Sequence, residues 1–305
     1  MKVISFNSFS AIKMYDRLSR RQTIPRVVSR WVNKYDPDVI LLQEFNSWTY
    51  GPITLLLSFL TPIISIFPIL IAILDVLMIL EGLILPWFVY DNKTFIISEL
   101  ERMGFQVIKT RDPEKYCDGG LIIASRHPMD LSSQKEIVMK TNRLHWSTIL
   151  GVNIKYNNET VRIYNCHLIP SLPDDIGWFY WLCNCINVYF GDDIDLLRDG
   201  QIKRMAEEIK NYDLPAIIGG DFNITYDSAD YKKILSTSNL KDLRPADVTF
   251  TKSGSDEPDK KKCITDSELM TEIDYIMINF KPAMAYKKVL SDTVSDHFPI
   301  LAMID

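Results

Sequence analysis

Between Phe45 and Leu74 the chain has no charged residue. An ordinary solvated surface element is excluded there. The 22 residues from Ile53 to Leu74 would make about 33 Å of helix, long enough to span a bilayer. Cysteine is also scarce. The five in 305 residues, at 117, 166, 183, 185 and 263, form no CxxC pair and no metal spacing with histidine. That excludes a disulfide-dense scaffold, and an odd count without a framework points to reduced thiols in a reducing compartment. Nor is there an excess of positive charge: 34 Lys and Arg stand against 39 Asp and Glu, giving a net charge of −5 and a pI of about 5.5. A chain that wraps nucleic acid non-specifically is usually basic, so this balance argues against that role without excluding a local basic groove. No internal repeat is visible. No signal peptide is expected, because only Val3–Phe6 separate Lys2 from the polar Asn7. Of the three glycosylation sequons, at Asn92, Asn158 and Asn223, the last lies in the best chemical motif of the chain, where a glycan would block it. The expectation is an intracellular protein.

What is present suits a packed globular chain, with 47% hydrophobic and 24% charged residues. The length fits two domains or one large α/β domain. Val3–Phe6 reads as a first strand. Ile24, Val27, Val28, Trp31, Val32 and Tyr35 recur at helical spacing, and Pro37 stops that helix. Val39–Glu44 is a buried-type strand ending in a carboxylate. Thr94–Arg102 reads as a helix stopped near Gly104, and a helix over 195–210 carries Leu196, Leu197, Ile202, Met205 and Ile209. Strands are expected at 120–125, 147–155, 161–167, 216–220, 273–279 and 300–304. Residues 251–268, with Lys260–Lys262, read as a solvated loop.

Six polar clusters sit at or just beyond strand ends: Asn7; Gln43-Glu44; Asn165-Cys166-His167; Gly220-Asp221-Phe222-Asn223; Ile273-Asp274-Tyr275; and Ser295-Asp296-His297. Strand ends are where layered α/β proteins commonly assemble sites. Each cluster alone is weak, since Asp and Asn also favour turns and a lone His is more often structural. Their joint occurrence in this order is specific. The stretches VISFN (3–7), DVILLQE (38–44), GGLIIASRHPM (119–129), YNCHL (164–168), IIGGDFN (217–223), IDYIMI (273–278) and SDHFPILA (295–302) resemble the endonuclease/exonuclease/phosphatase superfamily, whose fold is similar to pancreatic deoxyribonuclease.

The resemblance implies a four-layer α/β sandwich, two mainly antiparallel sheets face to face with helices outside. It spans one catalytic domain over 1–305, interrupted by a hydrophobic insertion at 51–90. It also implies metal-dependent hydrolysis of a phosphate ester, with Mg²⁺ the expected ion and Mn²⁺ or another divalent ion an alternative. A hard cation wants oxygen ligands. Glu44 is the candidate main ligand, with Asn7 beside it and Asp296 able to contact the metal. His297 is the candidate general base, because imidazole titrates near neutrality, and the resemblance makes Asp274 its orienting carboxylate. Asp221 would position or deprotonate the attacking water, Asn223 would hold a phosphate oxygen, and His167 would donate a hydrogen bond or proton to the phosphate. His127 and His145 read as structural or surface residues, and the cysteines as buried or interfacial thiols.

The insertion departs most from the family pattern. Asp75 and Glu81 interrupt it, and Pro62 and Pro68 would kink any helix in it. A helix pair in an enlarged core is one reading; contact with a membrane surface is the favoured one. A single crossing would separate Glu44 from Asp221, Asp274 and His297, so the segment is expected to enter and leave on one side, as a re-entrant hairpin or interfacial helices. Six aromatics fall within 178–190: Trp178-Phe179-Tyr180-Trp181 and Tyr189-Phe190. They form either an aromatic core patch or a headgroup-level belt. Both segments leave from loops next to candidate site residues, which suits a bilayer-embedded, phospholipid-type substrate. LLRDGQIKRMAEEI (196–209) and VTFTKSG (248–254), with Cys263 ahead of IDYI, are similar to the neutral sphingomyelinase branch. The rival is a nuclease, which needs a basic, aromatic-lined groove. Arg17, Arg20, Arg21, Arg26 and Arg30 instead spread over several helix faces. A catalytically inactive membrane-tethering module is the alternative of another class, and the complete set Glu44, Asp221, Asn223, Asp274 and His297 argues against it.

Overall fold

The computed structural model describes residues 1–8, 17–44, 92–110, 120–140, 146–168, 194–243, 272–290 and 297–305. The insertion at 51–90, the aromatic segment 178–190, His145 and Asp296 lie outside the described residues. The elements run β1 (Lys2–Asn7), α1 (Arg17–Tyr35), β2 (Val39–Gln43), α2 (Asn92–Arg102), β3 (Gln106–Lys109), β4 (Ile122–Ser125), β5 (Met129–Lys140), β6 (Trp146–Tyr156), β7 (Glu159–His167), α3 (Ile194–Lys210), β8 (Ala216–Asp221), α4 (Ala229–Ser238), β9 (Lys241–Asp242), β10 (Asp274–Ile278), β11 (Ala285–Val289) and β12 (Ile300–Ile304).

The strands form two six-stranded sheets, in the orders β11-β12-β1-β2-β4-β3 and β5-β6-β7-β8-β10-β9. All neighbours are antiparallel except β1 with β2 and β7 with β8. This is the four-layer α/β sandwich, and period-two patterning builds it. On each strand one parity faces the other sheet: Val3, Val39, Leu41, Ile123, Leu150, Val152, Ile163, Ile217, Ile276, Ile300 and Ala302 fill the central core. The opposite parity packs outward under helices. Ile4, Phe6, Ile40 and Leu42 meet Val27, Val28 and Trp31 of α1 and Ile96 and Leu100 of α2. Tyr164, Ile218, Tyr275 and Met277 meet Ile202, Met205 and Ile209 of α3 and Tyr231 and Ile234 of α4. Phe6 and Trp31 pack edge to face at 4.9 Å.

The inward stripe changes character along the strands. Val3 gives way to Ser5 and Asn7, Leu41 to Gln43, Ile163 to Asn165 and His167, Ile217 to Asp221 after Gly219, and Ile276 to Asp274. Apolar side chains fill one end of the sandwich interior, and buried polar ones fill the other. The parallel pairs send two strand C-termini to that polar edge in each sheet, and the antiparallel β10 brings its N-terminus there.

Buried polar ties join the sheets away from and near that edge. Asn165 Nδ2 donates to Leu42 O and Ile122 O, both at 2.9 Å, and its Oδ1 accepts from Gln43 Nε2 at 2.7 Å. At the other margin the Lys287 ammonium, from β11, lies 3.0 Å from both Asp242 and Glu272. Among the described residues no helix is long and apolar enough to cross a membrane.

Candidate active site

β8 reaches the polar edge only because Gly220 is glycine. Its φ is +151°, and a Cβ there would fall 1.9 Å from Cys166 O. The close parallel approach sets His167 opposite Asp221, and the antiparallel β10 sets Asp274 opposite Asp221 on the other side. Three titratable side chains thereby meet on one sheet. β1 and β2 lie across from β8 and β7 and add Asn7 and Glu44. His297, three residues ahead of β12, completes the set.

Glu44 follows β2 with φ +60°, a left-handed conformation that costs a non-glycine residue about 1–3 kcal/mol. Ser8 holds the turn. Its amide donates to Gln43 O at 3.1 Å, and its hydroxyl lies 3.1 Å from Gln43 O and 3.2 Å from Glu44 O. The Asn7 amide nitrogen brackets the two sheets, donating to Glu44 Oε1 and Asp221 Oδ2 at 2.9 Å each. His167 Nε2 stands between the same carboxylates, 3.6 Å from Glu44 Oε1 and 3.8 Å from Asp221 Oδ2. His297 Nδ1 is 2.9 Å from Asp274 Oδ2, and its Nε2 is 3.8 Å from Asp221 Oδ2.

Asn223 also has a left-handed φ, +51°. Its backbone N–H donates to Asp221 Oδ1 and its side-chain Nδ2 to Leu168 O, both at 2.8 Å. Tyr275, beside Asp274, sets its hydroxyl 2.8 Å from Ile224 O and from Glu272 O, tying the two site-bearing segments together.

The electrostatics are set by burial. The Asp221 carboxyl is pushed above the usual range by desolvation and then by the charge of Asp274; His297, His167 and the Asn7 hydrogen bond oppose this. Cys166, fully buried behind Asp221, has its thiol pushed well above the ordinary value by burial, which leaves it an inert packing residue. His127 sits elsewhere, with Nε2 2.7 Å from Asp38 Oδ1 and its ring edge-on to Tyr156, as expected of a structural histidine.

Among the described residues two groups could hold a cation, Glu44–His167–Asp221 and Asp221–Asp274–His297, each with ligand atoms within 4.8 Å of one another. They share Asp221. Three carboxylates and two imidazoles, rich in oxygen and without thiolate, suit a hard or borderline divalent ion.

The family model described as "Endonuclease/Exonuclease/phosphatase family" matches residues 6–297, which bracket this whole edge. The chain belongs to the endonuclease/exonuclease/phosphatase family. Members of that family are phosphoesterases that use divalent metals, and a metal-dependent phosphoesterase is what this chain is. Among solved structures it is similar to an endonuclease/exonuclease/phosphatase family protein from Leptotrichia buccalis, with TM-score 0.62, 16% identity and 100% and 99% of the two chains covered. Sphingomyelinase C from Streptomyces griseocarneus gives TM-score 0.61 and 14% identity over 100% and 99%. TDP2 from D. rerio, complexed with single strand DNA product, gives 0.59 and 14% over 100% and 98%. At these identities the likeness concerns the fold alone. No curated protein matches the chain.

The structure thus brings together Asn7, Glu44, His167, Asp221, Asn223, Asp274 and His297, all named from the sequence of this phosphatase-family chain. Sequence reasoning missed Arg198. It donates Nη2 to Asn223 O at 2.6 Å and Nε to Asp230 Oδ2 at 2.7 Å. Helical periodicity marks Leu196 as the side chain to bury. In the structure Leu196 is 71% exposed and Arg198 4%. No spacing rule singles out an arginine that faces inward to reach a loop carbonyl.

Proposed function

We propose that this enzyme hydrolyses a phosphodiester of a membrane lipid, as a sphingomyelinase or phospholipase C does, with Mg²⁺ as its cation. The observation that carries the hydrolytic reading is the convergence of Glu44, Asp221, Asp274, His167 and His297 on one sandwich edge. Glu44 would be the main ligand, joined by the carbonyl oxygen of Asn7, whose nitrogen is committed to two carboxylates, and by Asp296. When bound, the cation supplies positive charge that polarises the anionic phosphate. Asp274 accepts from His297 Nδ1, which fixes the tautomer and leaves Nε2 to take the proton of the attacking water. Asp221 orients that water. Asn223 spends one amide N–H on Leu168 O and keeps the second for a phosphate oxygen. His167 donates to the phosphate side.

The lipid part rests on the charge-free stretch within 51–90 and the aromatics of 178–190, and on the topology. β2, which precedes the insertion, pairs directly with β4, which follows it, so the chain leaves and returns to one sheet. That supports entry and exit on one side of a membrane; the cytosolic face is favoured by the Asn223 sequon, where a glycan would block the site. The structural likeness to sphingomyelinase C agrees with it. A nucleic-acid substrate is the second reading, favoured by the similar likeness to the TDP2 complex with single strand DNA product.

Hydrolysis of a panel tests the choice: sphingomyelin, lysophospholipids, phosphoinositides, single- and double-stranded DNA and RNA, each with Mg²⁺ and with EDTA. A lipid phosphodiester should be cleaved in Mg²⁺ only, and Glu44→Gln should nearly abolish that cleavage. Cleavage of nucleic acid alone would overturn the lipid reading, and activity in EDTA the metal one. Replacing 52–89 by a Gly/Ser linker should abolish liposome flotation and lower lipid hydrolysis far more than hydrolysis of a soluble phosphodiester. Each buried large apolar side chain contributes about 1.5–3 kcal/mol to adsorption.

A further inference from the structure

Asn223 is held at four points, and three of them are explained by the strands that meet there. Its own Cα follows β8, its N–H returns to Asp221 and its side chain crosses to the residue after β7. The fourth comes from outside both sheets. Arg198, in the first turns of α3, donates Nη2 to the Asn223 carbonyl oxygen at 2.6 Å. The same guanidinium donates Nε to Asp230 Oδ2, in the first turn of α4, at 2.7 Å. A guanidinium that is 4% exposed is costly to bury unless its N–H groups are used. Here at least two are, on acceptors in the loop after β8 and in α4. The planar fork matters: a lysine ammonium, one point on a flexible stem, cannot hold both acceptors in a fixed mutual direction.

A charge-assisted bond to the peptide oxygen fixes the rotation of the 223–224 peptide. For a residue at φ +51° that rotation sets the direction of the side chain, because the left-handed well is narrow for anything but glycine. We infer that Arg198 is a positioning residue for Asn223. It holds the left-handed backbone so that the second amide N–H of Asn223 is aimed at the phosphate. Asp230 aligns the guanidinium from α4 and is the second part of the device. The inference rests on the phosphodiesterase reading above for its effect on turnover, but not for its effect on the loop.

The test uses Arg198→Met, Arg198→Lys, Asp230→Asn and the control Ile234→Val, which trims a fully buried side chain of α4 that packs only in the apolar core. Each is assayed on bis(p-nitrophenyl) phosphate at saturating Mg²⁺, beside thermal melting. Arg198→Met should lower kcat by about 10²-fold with KM within about 3-fold, since misplacing a group that acts in the transition state costs turnover rather than binding. Arg198→Lys and Asp230→Asn should lower kcat by about 10-fold, and Ile234→Val by less than about 2-fold even where it lowers Tm as much. If kcat tracks Tm across all four, Arg198 only supports the fold and the inference fails. It fails equally if Arg198→Met is folded and keeps near-parental kcat. Should Arg198→Met not fold, Arg198→Lys and Asp230→Asn against the control decide by the same criterion. If the parent cleaves no phosphodiester, the proposed function fails separately. Amide deuterium uptake over 221–225 then decides: faster in Arg198→Lys than in Ile234→Val upholds the positioning role, and equal uptake overturns it.

Discussion

The two sheets share one pattern of strand directions and carry different loads. In each, the third and fourth strands of six run parallel and every other neighbour antiparallel. That pattern sends two C-termini to the same edge in both. From the first sheet come the buried amide of Asn7, the buried His297 just ahead of β12, and Glu44, the most open acid among the described site residues, its side chain 18% exposed. From the second come His167, Asp221 and Asp274, with Asp221 only 2% exposed. Identical topology thus builds two halves that meet at an edge which solvent reaches at Glu44, with the other described site groups fixed in the interior. In the proposed mechanism an ion arriving from water would meet Glu44, while a proton would be handled among the buried groups.

The sharpest way to break this division is to strike the buried groups. His297→Ala should cost about 10²–10⁴-fold in turnover with little change in fold. Asp274→Asn should also be severe, because an amide cannot stabilise the imidazolium as a carboxylate does. Near-normal turnover in Asp274→Asn, measured with a soluble phosphodiester, would remove the pairing seen at 2.9 Å from the mechanism.

The next largest effect is on stability and falls on the join between the halves. Asn165→Ala strips the Leu42 and Ile122 carbonyls of a buried donor. Each orphaned group costs about 1–3 kcal/mol, readable as a lower urea midpoint at unchanged slope. A midpoint equal to the parent's would mean the two sheets need no polar stitch.

The smallest effect is a gain. Because burial raises the Asp221 carboxyl, the folded chain binds a proton that the unfolded chain has released, between the ordinary carboxylate pKa and the raised one. The contribution of this group to stability therefore falls as pH rises through that window. Asp221→Asn, in chelator, should melt higher than the parent at neutral pH, with the difference shrinking toward acid pH, while turnover is lost. A variant that melts lower at neutral pH would show that Asp221 is paid back fully by its neighbours without an ion.

The same division explains what the sequence shows and what it hides. β1, β2, β7, β8, β10 and β12 are legible because each is an apolar run with a polar residue at or near one end, and those residues form the candidate site. β5 and β11 are not. β5 opens with Asp130, Ser132 and Ser133 around a bulge before Lys135, and β11 reads AYKKV. Both are sheet-edge strands, where charge blunts further pairing and erases alternation. α4, over ADYKKILSTS, buries only Tyr231, Ile234 and Ser238, too few to mark a stripe. Arg198 stayed hidden because its partner is a backbone oxygen 25 residues away, and no side-chain pattern encodes a carbonyl.

β12 lies between β11 and β1, and β1 pairs on its other side with β2. β1 therefore has both its edges covered only once β12 is in place, and His297 comes just ahead of that strand. A chain interrupted between β2 and His297 exposes the Lys2–Asn7 edge and lacks the proposed base. The order of the strands thus works as a safety catch: the proposed site stays incomplete until the chain has run on from β1 and β2 as far as β12.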